Sequence, residues 1–418
     1  MSSPKKTRIL FMKYHEAADQ QPLSKKAAEK LGIFPSLPLL GRSTLKRACL
    51  GPASTSPWWA TAKRPSWRSA SGWRPGTTSG IDGTVVRMKD GSVVRNGPRA
   101  LPKDIDRYPM PAWDLVDIPS YHCLTLLRPF ATMVTTRGCP WHCGYCSQVY
   151  SEKLRFRSPE LVVDEMEFLE KEHGVREIVM FDETFTIGKR RMKRFSELVQ
   201  QRGLKVKFNI RARVDTVDRE VLRWLKQAGL RSIHMGVEAG TDRVLKIMNK
   251  QITRDQTRKA FRIAREEGIE TRGYFMIGYY DATPEDVEET MNFAADIGLD
   301  WASFSVATAL PGTDLYTISQ ERGYVSGDFW REYTVNGGGL LPQLETETFT
   351  AEQLRAYRTK AYLKFYMRPD LIRRKLSKSE GREELMEMLG GATVLSEIVK
   401  STVMRRIPQV GLGKIATV

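Results

Sequence analysis

The sequence predicts an α/β protein centred on a partial (β/α)6 barrel, and three observations carry that reading. From about residue 130, short β-like runs alternate six times with amphipathic helical runs. The helices open on capping residues: Ser158 before Pro159, Thr253 before Asp255, and Thr283 before Pro284-Glu285. They close on Gly203, Gly229, Gly268 and Gly298, each just ahead of the next strand. Six such units imply a parallel sheet with helices outside it, and too few strands for a complete eightfold barrel.

Taken in order, residues 1–100 read as an incomplete, degenerate α/β segment. Arg8–Lys13 predicts a buried strand and Ser24–Leu31 a helix. Residues 52–80, PASTSPWWATAKRPSWRSASGWRPGTTSG, then scatter four tryptophans among Pro, Ser, Arg and Gly without helical or strand period. Order returns in GTVVRMKDGSVVR (83–95), where alternating runs flank Asp90-Gly91 and predict a hairpin. Residues 101–124 form a proline-rich linker.

The core spans 125–325. Its predicted strands are Ala131–Thr136, Glu177–Phe181, Val206–Ile210, Ser232–Val237, Thr271–Ile277 and Trp301–Ala307. The intervening helices are Ser158–Lys171, Arg190–Gln201, Arg219–Ala228, Thr253–Glu267 and Pro284–Ile297. Residues 326–418 lose the alternation and predict a helical C-terminal extension, clearest in TAEQLRAYRTKAYLKFYMRPDLIRRKLSK. The aromatic and basic residues there suit covering the open barrel, with a membrane surface as the second reading.

Composition narrows the function classes. The net charge is +17, but residues 1–80 hold 14 Lys and Arg against 3 Asp and Glu. The basic excess therefore sits on the irregular segment, which argues against a nucleic-acid surface on the core. No apolar run approaches the ~18–20 residues of a membrane span, and the start lacks a signal-peptide core. Five cysteines, three of them nearly adjacent, do not form a secreted disulfide framework and suit a metal site in a reducing compartment. A cytoplasmic location is expected.

Those three are Cys139, Cys143 and Cys146 in TRGCPWHCGYCS, spaced C-x3-C-x2-C, immediately after the first core strand. In such α/β sheets the loops at the strands' carboxyl ends carry function. Structural zinc wants four ligands, and here the fourth is not local. His142 adjoins Cys143 and points elsewhere; Cys123 could complete a zinc site, although zinc motifs come as pairs. A [4Fe–4S] cluster can be held by three thiolates with one iron left open, and the triplet favours it.

The C-x3-C-x-aromatic-C motif, with Tyr145 as the aromatic, at this place in a six-unit βα domain resembles the radical S-adenosylmethionine enzymes. The resemblance covers about residues 125–325 and implies a TIM-like partial barrel. It implies a [4Fe–4S] cluster on Cys139, Cys143 and Cys146 whose open iron binds S-adenosylmethionine. Reductive cleavage would then give a 5′-deoxyadenosyl radical that abstracts hydrogen from a substrate. The resemblance also suggests cofactor-binding residues. Asp182 and Glu183 are candidates for the methionine amino group. Arg211 or Arg213 would pair with the methionine carboxylate, where a guanidinium fits. Glu238 falls where related enzymes contact the ribose hydroxyls, and Gly278 where they seat the adenine. Here Tyr279-Tyr280-Asp281 replace the family's Pro-Gly form.

The lead-in PMPAWDL, the DETF stretch and the tail AYLKFYMRPDLIRRKL look most like the branch with an N-terminal cobalamin-binding domain. That branch includes enzymes similar to anaerobic magnesium-protoporphyrin ester cyclase and to hopanoid-biosynthesis proteins. Residues 1–80 do not supply the βα units of such a domain and contain no D-x-H-x-x-G. Cobalamin binding is therefore expected to be lost or weak. The expected partners are a small-molecule or lipid-like substrate and an electron donor of flavodoxin or ferredoxin type. The expected reaction is cyclisation, methylation or rearrangement. Two other readings are a transfer-RNA methylthiotransferase and a non-catalytic metal-binding scaffold. The first lacks a second cysteine triplet and a C-terminal β-barrel.

Overall fold

The computed structural model describes residues 82–87, 92–123, 125–148, 150–325, 329–335 and 344–378. The expectations placed on residues 1–81, including the Arg8–Lys13 strand and the tryptophan-bearing stretch, lie outside the described residues. So does the tail beyond 378.

The described residues open with an antiparallel pair, β1 (Val85–Arg87) and β2 (Val93–Arg95), with Val85 opposite Arg95. The Asp90-Gly91 turn between them lies outside the described residues. An extended lead-in carries two short 3-10 turns, Trp113–Leu115 and Ile118–Ser120. The core follows as β3 (Phe130–Met133), β4 (Thr136–Arg137), β5 (Arg155–Phe156), α1 (Pro159–His173), β6 (Glu177–Met180), α2 (Lys189–Gln201) and β7 (Lys207–Arg213). It continues through α3 (Arg219–Gln227), β8 (Leu230–Glu238), α4 (Asp242–Ile247), α5 (Arg254–Glu266), β9 (Glu270–Ile277), α6 (Pro284–Asp296) and β10 (Trp301–Val306). Four helices follow: α7 (Asp314–Glu321), α8 (Phe329–Val335), α9 (Ala351–Tyr366) and α10 (Pro369–Lys378).

Six strands form one sheet in the order β3-β6-β7-β8-β9-β10, every neighbouring pair parallel. Order in space follows order in the chain, and the sheet stops short of closing. The expected partial (β/α)6 barrel is the fold.

One face of each strand packs against the helices. Ile178, Met180, Ile210, Ile233, Phe275, Ile277 and Phe304 are buried there among Val162, Met166, Phe195, Leu222, Leu225, Phe261, Val287 and Met291. Each such side chain contributes roughly 1.5–3 kcal/mol of hydrophobic burial. The helices start where their caps lie. Ser158, Thr253 and Thr283 each accept a backbone N–H from their own first turn, and the latter two form full capping boxes. Gly174, Gly203, Gly229, Gly268 and Gly298 hold the left-handed turns that return helices to strands.

An open sheet leaves edges, and α9 covers one of them. The Tyr366 hydroxyl donates to the Ala302 carbonyl at 2.9 Å and accepts the Ala302 N–H at 3.2 Å. Tyr362 accepts the Phe304 N–H at 3.2 Å. The free ladder groups of β10 are thereby satisfied and closed to pairing with another strand. The first long helix of the C-terminal region thus packs along this edge. No helix among the described residues is long and apolar enough to cross a membrane.

One element departs from its expected course. The run Ala131–Thr136 is not a single strand: Phe130–Met133 joins the sheet, while Thr136–Arg137 turns away to pair antiparallel with Arg155–Phe156. The cause is Asp182, whose buried carboxylate accepts the N–H groups of Thr135 (2.6 Å) and Thr136 (2.9 Å) and the Thr135 hydroxyl. These charge-assisted bonds draw the chain off the sheet and frame the loop that follows.

Candidate active site

The loop from Gly138 to Ser151 carries Cys139, Cys143 and Cys146 at the carboxyl rim of the sheet, and it is anchored at both ends and in the middle. At its base the β4–β5 pair closes it, and Cys139 N–H donates to Ser151 O at 3.0 Å. Gly138 adopts φ +100°, where a Cβ would collide with the backbone of Lys153. In the middle, Gly144 N–H donates to Met248 O (2.9 Å) and Gly144 O accepts from Leu315 N–H (2.8 Å). The Asn249 side-chain amide donates to His142 O at 2.6 Å. Three thiols therefore sit on a loop held by two other rim loops.

The thiols feel one another. Burial raises the Cys139 thiol, with the neighbouring Glu183 and Cys143 charges adding to the rise. Cys146 is exposed as a residue, yet the protein crowding its thiol pushes it up to about 11, helped by Cys143, Glu183 and Cys139. Such a set binds protons until a cation displaces them. Among the described residues no three Cys, His, Asp or Glu side chains close around a single metal ion. A cubane cluster, which takes each thiolate at a different iron, asks for a wider triad than one ion does.

The candidates predicted around the loop fall into two groups. Glu183 keeps part of its hydrogen-bonding capacity open. One carboxylate oxygen, Oε2, is buried and meets no donor among the described residues. Burial lifts the acid to about 7, against the opposing pull of the Tyr150 and Gly138 N–H groups. An orphaned acceptor beside the cysteine loop fits a cationic amino group. Asp182, its neighbour, has its oxygens committed to Thr135 and Thr136, where it shapes the chain ahead of the cysteine loop.

The arginines also separate. Arg213 is buried, pairs bidentately with Asp215 (3.0 and 3.1 Å) and donates to Lys250 O at 2.7 Å. It also reaches Cys143 Sγ at 3.5 Å and lies over the Trp141 ring. It ties the cysteine loop to the α4–α5 turn. Arg211 stands one strand repeat deeper, its guanidinium 3.7 Å from the centre of the Phe181 ring.

Glu238 ends β8 at φ +69°, a left-handed conformation that costs a non-glycine residue on the order of 1 kcal/mol. Its carboxylate pairs with Lys250 Nζ at 2.9 Å. Lys250 is buried and donates equally to the Tyr145 hydroxyl, 2.9 Å away. Burial and the Glu238 charge raise Tyr145 well above its usual value, so its phenol stays protonated. Tyr145 thus belongs to the site through its hydroxyl. Gly278 ends β9 at the same rim. It makes a left-handed turn (φ +77°) directly under Leu354 of α9, where a Cβ would not fit.

Lys250 and Asn249 were not signalled by any motif. They occupy the turn between α4 and α5, with Asn249 (φ +50°) and Gln251 (φ +56°) both left-handed on either side of Lys250. The one hint in the sequence is an Asn, a residue tolerant of that conformation, closing a short helix.

A half-barrel with a three-thiol loop at its carboxyl rim, an unsatisfied acid beside it and a buried Lys–Glu–Tyr cluster across from it defines a protein built to hold an iron–sulfur cluster and a charged cosubstrate. Residues 133–294 match the radical SAM superfamily. It is 33% identical over 290 residues to an uncharacterized methyltransferase of Pyrococcus horikoshii, covering 69% of this chain and 62% of that protein. It is 33% identical over 275 residues to the anaerobic magnesium-protoporphyrin IX monomethyl ester cyclase of Cereibacter sphaeroides, covering 65% of this chain and 44% of that one. The chain thus spans about half the length of these relatives. Among solved structures, the radical S-adenosylmethionine methyltransferase TsrM of Kitasatospora setae shares the fold. Its TM-score is 0.55 at 17% identity, covering 80% of this chain and 76% of that one.

Proposed function

We propose that the chain, with a core over residues 125–325, is an enzyme that reductively cleaves S-adenosylmethionine and abstracts hydrogen from a small organic substrate. The observation that carries this reading is the pairing of the three-thiol loop with the orphaned Glu183 oxygen. When bound, a [4Fe–4S] cluster supplies an electron to the sulfonium, and S-adenosylmethionine supplies the 5′-deoxyadenosyl group that takes the hydrogen atom.

The chain's own residues hold and orient. Cys139, Cys143 and Cys146 would ligate the cluster, and the anchored backbone at Gly144 keeps them in one geometry. Glu183 would take the amino group of methionine, exchanging a costly buried carboxylate for an ion pair. Arg213 donates to Cys143 Sγ and to Lys250 O, and so holds the cysteine loop against the α4–α5 turn. Glu238, held in place by Lys250, would present its carboxylate to the nucleoside sugar. Electrons would come from a flavodoxin- or ferredoxin-type donor in a reducing compartment.

The test is anaerobic reconstitution with iron and sulfide, followed by reduction with S-adenosylmethionine present. The reading expects about four irons per chain and reductant-dependent 5′-deoxyadenosine. Cys139→Ala, Cys143→Ala and Cys146→Ala should each abolish both. Full iron retention in those variants, or one tightly held zinc and no cosubstrate cleavage, would overturn it.

A further inference from the structure

The turn after β9 brings to the cysteine loop a side chain that the function above does not use. Tyr279-Tyr280-Asp281 stand there in place of the family's Pro-Gly form. Gly278 makes its left-handed turn just before the phenol, and Tyr279 O accepts the Ala282 N–H at 3.0 Å just after it. The backbone is thus fixed on both sides. The Tyr279 side chain is buried, with 1% of its surface exposed. Its ring stands at 87° to that of Tyr145, 6.4 Å between centres, and lies 4.8 Å from that of Tyr280. A ring held among aromatic neighbours in this way carries its hydroxyl to one place.

That place is Gly144, the residue between Cys143 and Tyr145. A Cβ on Gly144 would stand 2.9 Å from the Tyr279 hydroxyl oxygen, closer than real Cβ atoms approach a neighbour. Gly144 is not among the residues with positive φ, so its backbone does not ask for glycine; the approach of the phenol does. Nor does the loop give way at this point, since Gly144 is bonded to Met248 on one side and Leu315 on the other.

Among the described residues the Tyr279 hydroxyl makes no hydrogen bond. A carboxylate is near: Asp314 Oδ2 lies 3.7 Å from the same Cβ position, yet it does not accept from the phenol. Buried hydroxyls in native proteins are nearly always partnered, and one aimed at three metal-binding thiols points to what those thiols hold. The group is a donor, because burial, reinforced by Tyr280, Asp314 and Cys143, keeps the phenol protonated.

We propose that the Tyr279 hydroxyl donates a hydrogen bond to a sulfur of the bound [4Fe–4S] cluster on the Cys143 side of the loop and thereby favours the reduced state. The inference rests on the function proposed above, since it gives the cluster an electron to accept. Reduction adds negative charge that spreads onto the sulfurs. A fixed O–H dipole facing one of them stabilises the more negative state and raises the reduction potential.

The test reads that potential, not turnover. Full-length protein, anaerobically reconstituted with iron and sulfide and kept free of S-adenosylmethionine, is titrated with dithionite while the EPR signal of the reduced cluster is followed. Tyr279→Phe keeps the ring and removes the hydroxyl. It should lower the midpoint by about 59 mV, the one-electron equivalent of a tenfold change in the reduction equilibrium. The half-buried neighbour gives the control: Tyr280→Phe should leave the midpoint where it was. In deuterated water, electron–nuclear double resonance should detect an exchangeable deuteron at the reduced cluster of the unaltered protein that Tyr279→Phe lacks. Equal midpoints in the two proteins, or a difference that appears only when S-adenosylmethionine is added, would overturn the proposal and leave the cluster reading standing. A Tyr279→Phe protein that assembles no cluster where the unaltered one does would overturn it too, because the hydroxyl would then serve assembly. Absence of a cluster from the unaltered protein would remove the proposed function and this inference together.

Discussion

Left-handed turns occur at both rims of the half-barrel, but non-glycine residues adopt them at only one. Where helices return to strands, the chain turns through left-handed backbone at Gly174, Gly203, Gly229, Gly268 and Gly298. Glycine takes that conformation without steric cost. At the opposite rim the left-handed positions include Gln148, Ser151, Glu238, Asn249, Gln251 and Asp281, and no other non-glycine residue among those described adopts positive φ. All six lie on loops that surround or adjoin the cysteine segment. Both Glu177 oxygens at the lower rim have donors, whereas Glu183 at the upper rim keeps one buried oxygen without any. Non-glycine residues in left-handed backbone, gathered on one side of the fold, mark the side selected for something other than stability.

If the upper rim is an interlocked unit, removing its central cation should be the most damaging single change. Lys250→Met strands a buried carboxylate on Glu238 and leaves the Tyr145 hydroxyl without its donor, and is expected to cost about 3–5 kcal/mol. Denaturant unfolding of the cluster-free protein measures it. Adding Glu238→Gln should recover part of the loss, and a cost below about 1 kcal/mol would dissolve the idea of a unit.

A matched glycine pair compares the rims directly. Gly268→Ala at the lower rim meets no atom within 4 Å, so only backbone strain of about 1 kcal/mol is expected. Gly278→Ala at the upper rim adds a collision with Leu354 and should cost about 3 kcal/mol, partly relieved by Leu354→Ala. Equal costs at both sites would mean that α9 yields easily and does not brace the rim.

The sequence disclosed the lower rim far better than the upper one. Its helix stops were legible because a glycine between a helix and a strand has one common use. The strands Thr271–Ile277 and Trp301–Ala307 differ from β9 and β10 by a single residue at one end. At the upper rim the cysteines announced themselves by a spacing that carries the chemistry, while Tyr145, Glu183, Arg213 and Glu238 were singled out only through the family resemblance. Asp182 and Glu183 are adjacent and chemically alike, yet one is fully bonded and the other is not. That difference comes from which strand ends lie opposite them, and pattern alone does not carry it. Lys250 was hidden for a related reason: a lysine in a polar turn reads as solvated until the fold buries it against Tyr145.

The orphaned acid gives a pH signature of intermediate size. Burial raises Glu183 from the 4.5 of an ordinary glutamate to about 7, so its neutral form is the one the fold prefers. The stability it contributes is fully present below about pH 4.5 and is lost as pH rises through 7. In Glu183→Gln that loss disappears, because glutamine stays neutral. The variant without cluster should therefore match the parent at low pH and exceed it by roughly 2 kcal/mol above pH 7.5. Parallel stability curves across that window would show that Glu183 is better solvated than its surroundings indicate.

The smallest expected effect tests strain itself. Gln251 holds φ +56° beside Lys250, and its side-chain amide reaches only Asn249 at 3.2 Å. Gln251→Gly removes the Cβ that makes this conformation costly but also loosens the unfolded chain, and the two effects oppose. Relief of about 1 kcal/mol against a loss of about 0.5–1 kcal/mol leaves a change near zero. The same substitution at Gln227, a helical residue ending α3, has no strain to relieve and should cost about 1 kcal/mol. It is therefore the difference between the two variants that carries the information. Equal costs would mean that left-handed backbone at Gln251 is unstrained, and the contrast between the rims would then be one of residue type alone.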